Sequence, residues 1–347
     1  MDYNYSYNNN NGGAFQGGPG QYPLNLQNQL YLKARGERKA IKTIGSVAGL
    51  CVISYVVLQN LLALPIGLIP YFSNLYRNSD EFFYLYILLS SVFTMMVPFV
   101  IGGMYLRKRT GTEIFCFDAQ KNAEIAVPAV PMGLLICLIG NLLTVLFVAG
   151  MEKIGFSLTS PDLNTPQSLT GRLLYFVAVG IIPPLTEELS IRGCIMQPLR
   201  RYGDTFAIIA SSLLFAILHG NLVQAPFAFF AGLGLGYICC VTGSLWPSII
   251  VHCLNNSYSV FEEFITADVT SEKLQYIILN GSQAALIGAG IVGALIFIYK
   301  MKGNRLPKAD TVLKGGDKAA AFLLNIPMII AIIIMLVITA GYVAWTR

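Results

Sequence analysis

Residues 174–193 read LYFVAVGIIPPLTEELSIRG. Positions 174–185 are almost wholly apolar, and Glu187, Glu188 and Arg192 follow directly on them. Ionisable side chains are costly inside a bilayer, so each one needs a partner or a task there. The reading of this stretch decides the fold, because it is either one membrane helix with a polar centre or no membrane helix at all.

Composition favours the membrane. Hydrophobic residues make up 55% of the 347, and charged residues only 12%, against about 25% charged in a soluble domain. Apolar runs near 43–69, 82–106, 126–150, 172–200, 205–221, 222–242, 245–261, 279–299 and 320–345 approach the roughly twenty residues that a spanning helix needs. The expectation is an all-α, polytopic transmembrane helical bundle of eight or nine spans, nine preferred. Residues 1–32, rich in Asn, Gly, Tyr and Gln, read as a disordered low-complexity tail without a cleavable signal pattern. The membrane domain is then 33–347. The seven cysteines lie mostly in apolar runs and show no Cys-x-x-Cys spacing, so they read as small buried hydrophobes.

Charge sets the orientation. With nine spans and a cytoplasmic N-terminus, 18 of the 23 Lys and Arg face the cytoplasm, among them Lys121, Arg305 and the six basic residues between 300 and 318. Arg77, Lys153, Arg172, Lys273 and Arg347 lie on the other side, and setting Arg192 aside leaves 17 against 5. The positive-inside rule therefore places the N-terminus in the cytoplasm of a multi-pass protein, in the cell membrane. No nucleic-acid partner is expected.

Both histidines of the chain, His219 and His252, also lie in apolar runs. On a helix Glu188 and Arg192 are four apart and neutralise each other, while Glu187 points about 100° away. Glu187 lies 16 residues before Gly203, the natural turn, and His219 lies 16 after it. In an antiparallel hairpin both are about 24 Å from the turn. His252 fits this depth less well, about 14 Å beyond Gly243, unless the uncharged turn VTGSLWP is recessed. A carboxylate, two imidazoles and the amide of Asn256 can activate water, with the carboxylate accepting a proton and the others stabilising an oxyanion or holding a metal. The reading is hydrolysis at a site within the bilayer.

Glu187-Glu188-x-x-x-Arg192, Phe215-x-x-x-His219 and His252-x-x-x-Asn256, in this order on successive helices, resemble the CPBP (Abi) intramembrane protease family. That family includes type II CAAX prenyl endopeptidases and bacteriocin-processing or immunity proteins. The resemblance covers 170–260. It implies an endopeptidase acting on a membrane-associated peptide, a prenylated C-terminus or a leader. Glu187 would be the general base and His219 would hold the water. His252 and Asn256 would stabilise the oxyanion, and Glu188 and Arg192 would orient Glu187. If a metal is used, the family's label implies Zn2+ on Glu187, His219, His252 and Asn256.

Two other classes compete. A catalytically silent scaffold or immunity protein would keep the same residues without turnover, and a proton-coupled carrier would use Glu and His as a relay. The chain shows no internal repeat to support a carrier. His-Glu-x-x-His, Gly-x-Ser-Gly and a pair of membrane aspartates are all absent. Gly232, Gly234 and Gly236 read as helix packing rather than a nucleotide loop. Pro183–Pro184 is expected to kink or break its span beside Glu187.

Overall fold

Every apolar run folds as helix in the computed structural model, which describes residues 24–118, 123–161, 163–302, 306 and 308–345. In chain order the helices are α1 (Leu24–Leu68), α2 (Pro70–Asn78), α3 (Asp80–Thr110), α4 (Ala123–Lys153), α5 (Leu169–Arg200), α6 (Asp204–Leu218), α7 (Ala225–Thr242), α8 (Trp246–Asp268), α9 (Glu272–Lys300), α10 (Gly315–Leu323) and α11 (Ile326–Ala340). Two short strands, β1 (Phe156–Leu158) and β2 (Val343–Trp345), pair antiparallel with Phe156 opposite Trp345. The protein is an all-α polytopic bundle.

The span count is lower than expected. Six helices are long and apolar enough to cross a bilayer, or seven if α10 and α11, bent by 75°, form one span. The two runs that drop out are α6 and α8. At 15 residues α6 reaches about 22 Å, short of a hydrocarbon core of about 30 Å. Helix α8 has 23 residues, but His252, Asn255, Asn256, Glu262 and Glu263 dilute its hydropathy. Helix α8 carries His252 and Asn256, and His219 directly follows α6.

Part of the segment expected to be a tail is helical. Helix α1 begins at Leu24, and residues 24–32 belong to it. Half-buried Leu26, Leu30 and Ala34 continue the helical stripe of Glu37, Ile41, Ile44 and Ala48, all buried by the bundle. Residues 1–23 lie outside the described residues.

Prolines shape the helices around the site. The π-helical segments Ser91–Met96 in α3, and Phe176–Ile181 and Leu189–Met196 in α5, end two residues before Pro98, Pro183 and Pro198. A proline has no N–H for the carbonyl four residues back and its ring clashes with it. In each case that carbonyl, of Thr94, Val179 or Cys194, lies in the widened segment, which accommodates the ring while the helix continues. The break expected at Pro183–Pro184 is thus a local widening within an unbroken α5.

Helix α7 lies between two apolar cores. Ala228, Cys239 and Cys240 join the core built with α1, α3, α5 and α6, while Ala231, Leu235 and Ile238 join α4, α8 and α9. A Cβ on Gly232 would stand 3.0 Å from Ser212 of α6, and one on Gly234 would stand 2.7 Å from Ile136 of α4. The glycine run therefore serves close packing on two faces, as the sequence suggests.

The bundle has two chemically distinct ends. At one, Lys33 pairs with Asp310, Arg38 with Asp317, Arg201 donates to the Thr110 carbonyl and Lys318 to that of Tyr202. At the other, Arg172 pairs with Asp268 and Ser168 donates to Glu81. Arg77, Lys153, Arg172 and Lys273 lie toward this second end; the other described Lys and Arg, Arg192 apart, lie toward the first. Lys121, Arg305 and Arg347 lie outside the described residues.

Candidate active site

The π segment Leu189–Met196 directly follows the two glutamates and carries Arg192. Glu188 and Arg192, four apart, are both fully buried and bonded at 2.7 Å from Nη1 to Oε1. The Nη2 of Arg192 donates to the Gly232 carbonyl at 3.3 Å, and its guanidinium lies 4.6 Å from the centroid of the Phe215 ring. A buried ion pair needs such additional partners to offset its desolvation. Among the described residues, Glu188 Oε2 and Arg192 Nε nevertheless have no hydrogen-bond partner.

His252 is the bridge between the glutamates. Its Nδ1 lies 3.0 Å from Glu188 Oε1 and its Nε2 lies 3.7 Å from Glu187 Oε2. The carboxylate can only accept, so Nδ1 carries the proton. The depth mismatch of the sequence reading is resolved at the turn before α8. Gly243 takes φ +69, a left-handed conformation suited to glycine. Ser244 and Leu245 are buried, and the Leu245 N–H donates to the Cys116 carbonyl. The turn is recessed beneath the 111–118 connection, which brings His252 up to the glutamates.

His219 caps the C-terminus of α6, and its Nδ1 lies 2.8 Å from the Phe215 carbonyl. That bond fixes the proton on Nδ1, so the neutral ring presents the Nε2 lone pair. The buried Phe215 ring meets His219 edge-on at 4.8 Å and His252 at 5.8 Å. One aromatic side chain thus spaces both imidazoles and the arginine.

A cavity of about 1020 Å³ opens on this assembly. Glu187, His219, Phe215 and Pro183 line it, together with Tyr55 and Gln59 from α1 and Ser91 and Thr94 from α3. Glu188, Arg192, His252 and Asn256 are not among its lining residues. The six candidates therefore form two layers, with Glu187 and His219 facing the cavity and the rest behind. Asn256 donates to the Val179 carbonyl at 3.3 Å and accepts from Asn255 at 3.2 Å. Its amide is thus committed to the carbonyl that Pro183 leaves without a donor.

The sequence reading missed Tyr55, Gln59, Ser91 and Thr94. Gln59 donates to the Tyr55 hydroxyl at 2.9 Å, and the buried Thr94 hydroxyl has no partner among the described residues. All four are polar residues inside apolar runs, the same signal that singled out the glutamates.

The metal ligand set implied by the resemblance does not fit this arrangement. Among the described residues no three His, Cys, Asp or Glu side chains converge as a metal site requires.

Fold and site together define a multi-pass helical membrane protein with a carboxylate–imidazole centre between its helices. Residues 169–258 match the family model described as Type II CAAX prenyl endopeptidase Rce1-like. This agrees with the CPBP resemblance of the three motifs, and the family is one of proteases. The match takes in all six candidate residues, whereas Tyr55, Gln59, Ser91 and Thr94 lie outside it. No curated protein and no solved structure matches the chain.

Proposed function

We propose that the protein is an intramembrane endopeptidase that cleaves a membrane-associated peptide with water activated by Glu187. The observation that carries this is the position of the Glu187 carboxylate. It lines a large cavity together with His219, while Glu188, its neighbour in sequence, is sealed behind it by Arg192. A general base must reach both water and the scissile carbonyl, and of the two glutamates only Glu187 lines the cavity.

In this reading the water oxygen adds to the carbonyl carbon as its proton passes to Glu187. His219 accepts a hydrogen bond from the water through Nε2. His252, hydrogen-bonded to Glu188 and 3.7 Å from Glu187, stabilises the charge that develops near Glu187. Glu187 then returns that proton to the amide nitrogen as its bond to carbon breaks, leaving a carboxylic acid and an amine, which exchange a proton to become carboxylate and ammonium. Glu188 and Arg192 orient His252, and Asn256 holds the widened turn of α5. No step passes through a metal.

The basic end of the bundle faces the cytoplasm in this reading, and the protein resides in the cell membrane. The family's description names prenylated peptides, and leader peptides are the second class the resemblance implies. The test is cleavage of a membrane-tethered peptide library by purified protein in nanodiscs. Wild type yields product and Glu187→Gln yields none. Equal inertness of both across the library supports the scaffold instead, and ion or solute flux without cleavage supports a carrier.

A further inference from the structure

We infer that the hydroxyl of Thr94, on α3, is a third hold on the attacking water beside Glu187 and His219. This rests on the hydrolytic reading above and adds to it a residue from outside the stretch that the family model matches.

The hydroxyl is unengaged for a structural reason. A threonine inside an α-helix can donate to the carbonyl four residues back. Thr43, Thr110, Thr144, Thr242, Thr266 and Thr339 all do so, at 2.7–3.0 Å. Thr94 does not. It lies in the π-helical segment Ser91–Met96, where backbone bonds run to the fifth residue instead of the fourth. In that geometry the carbonyl four residues back is no longer in line with the side chain. Thr94 is fully buried, and its Oγ1 has no partner among the described residues. A buried hydroxyl without a partner is destabilising, so its place on a cavity wall points to a ligand that completes it.

The chemistry of the site selects water as that ligand. Thr94 lines the cavity together with Glu187 and His219. Ser91, one turn before Thr94, has its Oγ 3.4 Å from Thr186 Oγ1, and Thr186 directly precedes Glu187. That contact sets the widened turn of α3 against the turn of α5 that carries the base. Ser91 and Gln59, on the same wall, are already bonded to Thr186 and Tyr55, which leaves Thr94. An attacking water gives one hydrogen to Glu187 and the other to His219 Nε2, both acceptors. Its oxygen keeps two lone pairs, one of them aimed at the carbonyl carbon. A donor is what fixes the second, and a threonine hydroxyl can donate there without competing for the water's own hydrogens. Thr94 keeps its proton throughout, so the proton balance of the reaction is unchanged. The sequence origin of this hold is Pro98, which the helix accommodates by the widening that frees the Thr94 side chain.

The test follows the hydroxyl through a set of side chains. Thr94→Ser keeps it, Thr94→Val removes it at nearly constant shape, and Thr94→Ala removes it together with the methyl group. Each full-length variant is purified into nanodiscs beside wild type and assayed on a membrane-tethered peptide that wild type cuts. The expected result is a kcat about 10²-fold lower in Thr94→Val and Thr94→Ala, the size of effect that misplacing a reactant produces. KM should change little, and Thr94→Ser should restore most of kcat. Thr94→Val should melt no lower than wild type, because no hydrogen bond within the protein is lost. A Thr94→Val that cuts like wild type, or that loses kcat only in step with its melting temperature, overturns the inference. Should Thr94→Val fold poorly, Thr94→Ala against Thr94→Ser carries the same comparison. Binding of the same peptide to Glu187→Gln, with and without Thr94→Val, is read without turnover. Equal Kd is expected, and weaker binding by the double variant assigns the hydroxyl to the peptide and overturns the water assignment. Wild type that cuts no peptide refutes the hydrolytic reading and this inference with it. An active wild type beside an equally active Thr94→Val refutes this inference alone.

Discussion

His252 Nδ1 lies 3.0 Å from Glu188 Oε1, the same oxygen that receives Arg192 Nη1 at 2.7 Å. Its other nitrogen is 3.7 Å from Glu187. One imidazole thus couples the carboxylate that faces the cavity to the one sealed behind it. The proposed roles separate accordingly. Glu187→Gln removes the base and lowers cleavage by about 10²–10⁴-fold, with the melting temperature unchanged because that side chain borders open space. Glu188→Gln leaves Arg192 without a countercharge, so it lowers both the melting temperature and cleavage. Measuring the two quantities on both variants checks this. A destabilised Glu187→Gln beside a silent Glu188→Gln reverses the assignment.

The buried ion pair gives a sharper thermodynamic test. Arg192→Met strands an unpaired carboxylate at a position with no exposure, where losing one partner costs about 3–5 kcal/mol. Replacing both partners removes the stranded charge. The double variant Glu188→Gln/Arg192→Met should therefore recover most of the lost melting temperature in detergent. Cleavage should stay low, because His252 has lost the carboxylate that orients it. A double variant that melts as low as Arg192→Met would mean that the arginine contributes mainly through its packing on Phe215.

These roles were partly legible in the sequence. The i, i+4 spacing alone pairs Glu188 with Arg192 and turns Glu187 to another face, and the two lie in different layers as that spacing requires. Gly203 is the turn, at φ +117, and Glu187 and His219 do share one cavity. His252 was harder to place because its depth depends on a recessed turn that the 111–118 connection covers, a tertiary relationship with no local signature. The membrane boundaries were overcounted for a related reason: hydropathy runs do not reveal that α6 stops at 15 residues, where Gly220 takes φ +62. Tyr55 and Thr94 come from α1 and α3, far from the motifs in sequence, and only packing brings them to the cavity.

Metal dependence follows from the donor set. Among the described residues no three His, Cys, Asp or Glu side chains converge on one point. Cleavage in nanodiscs should accordingly persist in EDTA and in 1,10-phenanthroline. Loss of activity on chelation, restored by added Zn2+ and by no other addition, would establish a metal centre that requires these side chains to rearrange.

Asn256 offers the test that separates structure from chemistry. Pro183 cannot donate to the Val179 carbonyl, and Asn256 does so from α8 at 3.3 Å. Asn256→Ala should leave that carbonyl without a donor and cost about 1–3 kcal/mol, read as a lower melting temperature, with cleavage falling as the turn beside Glu187 loosens. Pro183→Ala returns a backbone N–H to the same carbonyl. If Asn256 acts by holding this turn, the double variant Pro183→Ala/Asn256→Ala regains both stability and cleavage relative to Asn256→Ala alone. If Asn256 instead stabilises the oxyanion, as the family resemblance implies, stability returns and cleavage does not. The kinetic split follows the same logic, because an oxyanion donor acts in the transition state and its loss lowers kcat with KM little changed.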